Sequence, residues 1–537
     1  MQRRTFIHTG ASALGAATLG SLALPGLAGG TRRGDGRTAD LLLGRALVYD
    51  GSGRTPVESD VRVSGGRIVE LGPRLARAGA DELELAGLAL APGFIDIHSH
   101  TDRALLRDPR ADSKVRQGVT TEVAGQDGSS VDDVASFLRQ IDAQGAAVNA
   151  ATMVGAGTLR GSVIGNSDRP ASNSELQRMI GLVREALAGG ACGVSSGLEY
   201  TPGAFADAAE LEALAGPVRD AGLPFASHMR NEDDRLIAAL EEVIGVGQRA
   251  GVAVQVSHLK AQGERNWWKT TPALSLLEDA RAAGIDVRFD VYPYEAYATG
   301  LTNLFPIWAR EGGTDAFLER LRSPDQAPGI ERAVRDKVAM LGSWDAVQLT
   351  SAGSAEYAWV AGRRMGRLSA ERGVEPYALL LELTRGDRAR TRMVGFGMSE
   401  ANVARKLSHP LSIVCSDGGA VALGEGVPHP RNYGTFPRVL GRFCRELKAL
   451  SLEPAIHRMT RAPTDRLRFT DRGRISTGAV ADLVVFDPDT VADRATFEDP
   501  HQYPAGIPHV IVAGEFVVRD GEHTNARPGR AVRPQAR

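Results

Sequence analysis

Five apolar runs in this chain each stop at an ionisable residue, and that recurrence constrains the fold more than any other feature. Leu88 to Ile97 leads into His98-Ser99-His100, and Gly193 to Leu198 leads to Glu199. Pro224 to Ser227 leads to His228, Val252 to Ser257 to His258, and Leu411 to Ser416 to Asp417. Runs of this kind read as buried strands. On a strand, positions i and i+2 share a face, so His98 and His100 leave the strand end side by side. Taken alone, a His-x-His pair is equally two surface histidines where a strand becomes a loop. Four imidazoles and two carboxylates, all at predicted strand C-termini, are not a random scatter, and paired neutral imidazoles suit a divalent transition metal.

Composition narrows the class. The chain has 537 residues and 43% hydrophobic content, enough for a large core. A formal charge of -2 with 24% charged residues gives no basic field, which argues against nucleic acid and anionic membrane as partners. A homo-oligomer stays open. Cys192, Cys415 and Cys444 are few and widely spaced, so they suggest buried thiols rather than disulfides or a cysteine zinc site.

Residues 1–30 read as an export signal. Arg3-Arg4-Thr5-Phe6-Ile7 is a twin-arginine pattern, followed by an uncharged stretch from Gly10 to Leu24 and a small-residue cleavage site at Pro25-Gly26-Leu27-Ala28. The stretch is short against the roughly 20 apolar residues of a spanning helix. A retained N-terminal anchor is the alternative reading. Export of this type predicts a periplasmic or secreted protein that takes up metal before leaving the cytoplasm and needs no membrane after signal cleavage.

β-type runs follow the signal, from Asp40 to Tyr49 and from Val61 through the Gly65-Gly66 turn to Leu71. Similar runs return at Ala481 to Phe486 and Val510 to Arg519. Strands at both ends, with none of that character between, predict a small β-sandwich domain from residues 31–90 and 466–537. Between them strands alternate with amphipathic helices. Val134, Phe137, Leu138 and Ile141 keep helical spacing, as do Met179, Ile180 and Val183, and Leu236, Leu240 and Val243. Eight apolar strands, near 93–100, 119–125, 147–154, 191–199, 223–228, 252–258, 285–292 and 411–417, predict an α/β fold with a (β/α)₈ TIM barrel over residues 91–465. Its active site belongs at the strand C-termini. The interval 295–410 exceeds any ordinary βα loop, so it predicts an insertion that helps roof the site.

His98, His100, Glu199, His228, His258 and Asp417 suit one or two zinc-like ions with a position open to water, two being favoured. Glu199 is the expected bridge, since one carboxylate offers an oxygen to each ion. Metal-bound water with its pKa brought near 7 is a competent nucleophile at neutral pH. Asp417 is the expected general acid/base, taking the water's proton and passing it to a leaving amine. These residues predict a metal-dependent hydrolase.

The chain resembles the amidohydrolase superfamily and, within it, the N-acyl-D-amino-acid deacylases (D-aminoacylases). The resemblance rests on Pro92 to Asp102, Gly197-Leu198-Glu199-Tyr200-Thr201-Pro202-Gly203, Ser257-His258-Leu259-Lys260, Asp290-Val291-Tyr292-Pro293-Tyr294, Ser416-Asp417-Gly418 and His429 to Phe436. It implies the composite β domain with a barrel, zinc, and hydrolysis of a linear N-acyl-D-amino acid to a carboxylate and a free D-amino acid. It also implies that Tyr200, Lys260, Tyr292 and Arg431 hold the substrate carboxylate, a task suited to guanidinium and phenol groups. The D-configuration comes from the resemblance alone. Where D-aminoacylases carry a zinc-ligating cysteine after the second strand, this chain has Gly125-Gln126-Asp127-Gly128. That departure leaves Asp127 as a residue orienting a metal-bound histidine and passes the bridge to Glu199. The rival enzymatic reading is a dipeptidase or other amidase of the superfamily acting on D-configured or isopeptide-like bonds. The non-enzymatic rival is a barrel kept only to hold metal.

Overall fold

The computed structural model describes residues 40–535, so the export segment lies outside the described residues. No helix among them is long and apolar enough to cross a membrane.

The two ends of the chain build one sheet. Strand Leu41–Val48 pairs antiparallel with Val57–Ser64, which returns as Arg67–Gly72 through Gly65 and Gly66. Both glycines have positive φ, 58° and 78°, as a two-residue hairpin turn of matching twist requires. Strand Ala89–Pro92 is the seam, parallel to Leu41–Val48 on one side and antiparallel to Leu483–Phe486 on the other. His509–Val512 and Glu515–Arg519 extend the C-terminal side. Among the described residues hydrogen bonding joins nine strands into a single sheet instead of the two stacked sheets expected of a sandwich. Alternate residues such as Val61, Val63, Leu483 and Val485 fill a core of their own on it.

Parallel strands occupy the middle of the chain: β1 (Phe94–Asp96), β2 (Val119–Ala124), β3 (Asn149–Thr152, resuming at Val154–Gly155), β4 (Val194–Gly197), β5 (Pro224–His228), β6 (Ala253–Val256), β7 (Val287–Val291) and β8 (Ser412–Val414). Each falls within an expected run, except that β3 continues one residue past its own, to Gly155. They form two parallel sheets, β1-β2-β3 and β3-β4-β5-β6-β7-β8. At one seam Met153 N donates to Ala124 O while Val154 N donates to Gly193 O. At the other, Asp417 N donates to His98 O and His100 N to Gly418 O, both at 2.9 Å. Strands β2 and β5 are buried throughout, the pattern of strands covered on both faces.

The helices between them bury the stripes read from the sequence. Val134–Gln144 covers Val134, Phe137, Leu138 and Ile141. Asn173–Ala188 buries Met179, Ile180 and Val183, and starts where Ser172 and Glu175 cap each other's backbone.

Residues 295–410 correct the expectation that β-type strands are confined to the two ends. Ala296–Gly300, Val347–Ser351 and Arg392–Phe396 make a three-stranded antiparallel sheet, the last strand central. Helices such as Ala327–Leu341 and Pro376–Gly386 pack on it, burying Val334, Val338, Leu380 and Leu383. The three strands are far apart in sequence and flanked by helix, so no single window of the sequence displays their pairing.

Candidate metal centre

His98 and His100 follow β1, His228 closes β5, His258 stands two residues beyond β6 and Asp417 three beyond β8. Asp127, three beyond β2, joins them. Asp127, His258 and Asp417 have φ of 53°, 32° and 51°, a region that side-chain-bearing residues rarely adopt. Such conformations persist only where surrounding bonds impose them, and they concentrate at functional sites.

The side chains converge. His98 Nε2 lies 3.3 Å from Asp127 Oδ1 and 3.7 Å from Asp417 Oδ1, and His100 Nε2 lies 3.0 Å from Asp417 Oδ1. His258 Nε2 is 3.2 Å from Asp127 Oδ1 and 2.8 Å from His228 Nδ1. All are buried except His100, whose side chain is 38% exposed and marks the open side.

Buried partners orient this cluster. Asp290 Oδ1 accepts from His258 N at 2.7 Å and lies 3.3 Å from His98 Nδ1, which leaves Nε2 of His98 facing the centre. Beneath, Lys114 Nζ donates to Asp96 Oδ2 and Ser416 Oγ, both at 2.7 Å, and pairs with Glu122, tying β1, β2 and the chain after β8 together. Asp102 Oδ1 accepts from Gly125 N at 3.1 Å.

The expected substrate residues are placed unevenly. Arg431 Nη1 donates to Asp417 Oδ2 at 2.7 Å, and its guanidinium lies 5.1 Å above the Tyr292 ring. Tyr200 packs on His228 with ring centres 4.6 Å apart, and its hydroxyl accepts from Thr299. Lys260 Nζ donates to both oxygens of the buried Glu232, at 2.7 and 2.9 Å, because a buried ammonium needs a counter-charge. Glu199 meets the cluster at His228. Its Oε2 is 3.5 Å from His228 Nε2, the ring nitrogen facing away from Asp127.

Asp290 and Glu232 were not assigned to the centre from sequence, and Asp127 was read there only as orienting a metal-bound histidine. Each lies in or just after a motif already visible, but nothing local to it distinguishes a ligand from a brace. His429 joins this network. It is buried, accepts from Arg431 N through Nδ1 and donates to Ala296 O through Nε2. His409 and His509 are buried too.

The centre is electrically short of positive charge. Burial opposes ionisation of His98, yet Asp127 and Asp290 outweigh it and raise its pKa well above the ordinary value. The same contest takes His228 up to about 10, with burial opposing and Glu232 the strongest carboxylate. Burial also resists ionisation of Asp127 and Asp417, but His258 and His98 hold the first, and Arg431 and His258 the second, well below the usual carboxylate range. His98 Nε2, His228 Nε2 and Asp127 Oδ1 are buried with no hydrogen-bond partner among the described residues. One atom from each of His98, Asp127, His258 and Asp417 lies within 4.8 Å of the others. Nitrogen and oxygen donors arranged this way fit a divalent cation of the zinc type.

Known proteins carry the same architecture. The amidohydrolase family pattern matches residues 81–518. A D-aminoacylase of Alcaligenes xylosoxydans is 34% identical, over 93% of this chain and 98% of its own. An N-acyl-D-aspartate deacylase of the same organism is 36% identical, over 92% and 95% respectively. The crystal structure of an N-acyl-D-glutamate deacylase from Bordetella bronchiseptica, complexed with zinc and a phosphonate inhibitor, superposes with a TM-score of 0.79 at 32% identity, covering 92% of this chain and all of that one.

Proposed function

Because the chain belongs to the amidohydrolase family and, within it, to the D-aminoacylases, we propose that it is a zinc-dependent hydrolase cleaving the amide of N-acyl-D-amino acids to a carboxylate and a free D-amino acid. The observation that carries this reading is the convergence of four histidines and Asp417 at the ends of parallel strands. Bonds at both seams of the two parallel sheets support one closed (β/α)₈ ring, whose mouth is where such sites lie.

His98, His100, His228, His258 and Asp417 would hold the metal, as one ion or two. When bound, it would polarise the amide carbonyl and acidify a water. Asp417 would take a proton from the attacking water and deliver it to the departing nitrogen, so one water is consumed and acid and amine are released. Arg431 keeps Asp417 ionised and therefore ready to accept. Arg431 and the Tyr292 hydroxyl, which is buried without a partner among the described residues, suit a substrate carboxylate. Lys260 lies 5.8 Å from the centre of the Tyr292 ring, with its charge matched by Glu232. Arg3 and Arg4 support delivery through the twin-arginine pathway to the periplasm or medium.

The test is hydrolysis of paired N-acetyl-D- and N-acetyl-L-amino acids before chelation, after it, and after zinc is restored. Turnover of the D series alone, lost with the metal and regained with it, is the expected result. Turnover of neither series by metal-loaded protein would redirect the reading to dipeptides and other amides.

A further inference from the structure

Asp127 and Glu199 both follow a parallel strand closely and both have buried carboxylates, yet they meet the histidines differently. Oδ1 of Asp127 faces His98 and His258, at 3.3 and 3.2 Å. Its Oδ2 faces His258, His100 and His228, at 3.3, 3.5 and 3.6 Å. Between them the two oxygens of one carboxylate thus meet all four histidines. Glu199 reaches one histidine, and from its far side.

The loop carrying Asp127 is built to hold it there. Ser195 Oγ donates to Gly125 O at 2.6 Å and accepts from Gly128 N at 3.0 Å, clipping the loop to β4. Thr158 N donates to Gly128 O, and Gln126 Nε2 donates to Ile97 O beneath. The loop presses so closely on its neighbours that a Cβ at Gly197 would sit 2.0 Å from Asp127 O, and one at Gly155 would sit 2.4 Å from Gly128 O. These contacts impose the left-handed φ at Asp127, and the result is a buried carboxylate oxygen without a hydrogen-bond partner among the described residues.

We propose that Asp127, and not Glu199, is the carboxylate ligand that bridges two divalent-cation positions in this centre. The assignment rests on the metal-dependent reading above and makes the donor set purely nitrogen and oxygen. Glu199 then acts on His228 and on the neighbouring cover, not on the ions.

Cobalt(II) titration of the metal-free full chain tests this through optical spectra, without recourse to turnover. Wild type is expected to bind about two equivalents, with d–d bands in the visible. In Asp127→Cys a near-ultraviolet thiolate-to-cobalt charge-transfer band should appear, and none in Glu199→Cys. Asp127→Asn, a residue that tolerates left-handed φ, should fold and drop to about one equivalent, while Glu199→Gln keeps both. Should Asp127→Cys fail to fold, the Asn stoichiometry decides. Visible bands without charge transfer in Asp127→Cys, or charge transfer in Glu199→Cys, would overturn the assignment. A wild-type chain that takes up no cobalt would instead contradict the metal-dependent reading, and the assignment with it.

Discussion

His98, His258 and Asp417 stand at the ends of strands locked to their neighbours, whereas Asn303 and Arg310 reach the same site from the 295–410 segment through single bonds. Asn303 Nδ2 donates to Glu199 Oε2 at 3.5 Å and Arg310 Nη2 donates to Glu199 O at 3.1 Å. Below the site the backbone fixes each donor and buried acids fix its ring. Above it, a segment with its own sheet and core leans on Glu199, Tyr200 and Arg431. On the proposed function, chemistry would belong to the first region and substrate choice to the second, so changes in the two should separate in the kinetics.

The largest effect is expected at Asp417. Asp417→Asn keeps a side chain of the same shape but loses the proton carrier, so kcat should fall by about 10²–10⁴-fold with metal retained. Undiminished kcat would remove Asp417 from the proton path. Next comes Asp290→Asn, which leaves every proposed ligand in place but weakens the orientation of His98 and His258. Metal affinity should drop by about 10–100-fold in a competitive chelator assay. An unchanged affinity would mean that the strand ends alone position the rings.

Cover variants should behave differently. Arg310→Ala removes a charged donor to the Glu199 carbonyl, worth about 1.5 kcal/mol, and should raise KM by roughly tenfold with kcat little changed. A collapse of kcat with metal loss would erase the distinction between the two regions.

A last effect bears on stability and not on turnover, and lies at Lys406, whose Nζ donates to Leu259 O at 2.7 Å. Burial first, and Lys260 second, push its pKa down to about 7 from an ordinary 10.5. Between those values the unfolded chain binds more protons than the folded one, so stability rises with pH across this window. Lys406→Met should remove that slope, at most about 1.4 kcal/mol per pH unit. Its gain in Tm should be largest near pH 7 and vanish toward pH 10.5. Parallel curves for the two proteins would show that Lys406 stays charged when buried.

The alternation of apolar strand and helical stripe was readable because parallel strands buried on both faces leave continuous apolar runs. The histidines were readable because those runs end at them. Asp127 and Glu199 were not separable on the same grounds. Both follow a strand closely, and what distinguishes them is the direction imposed by Ser195, Thr158 and the close approach of Gly197. The pairing of Lys260 with Glu232 was equally hidden, since it joins residues that the sequence keeps 28 positions apart. The antiparallel sheet in 295–410 joins strands from distant windows, where local periodicity carries no pairing information. The nine-stranded sheet spanning both chain ends was half legible. Its strands were visible, and its single-sheet connection through Ala89–Pro92 was not.

The most direct test of the metal centre is anomalous X-ray scattering at the zinc edge from crystals of the zinc-loaded protein. A peak enclosed by His98, Asp127, His258 and Asp417 is the predicted result. Zinc bound elsewhere, with these side chains still paired only to one another, would contradict it.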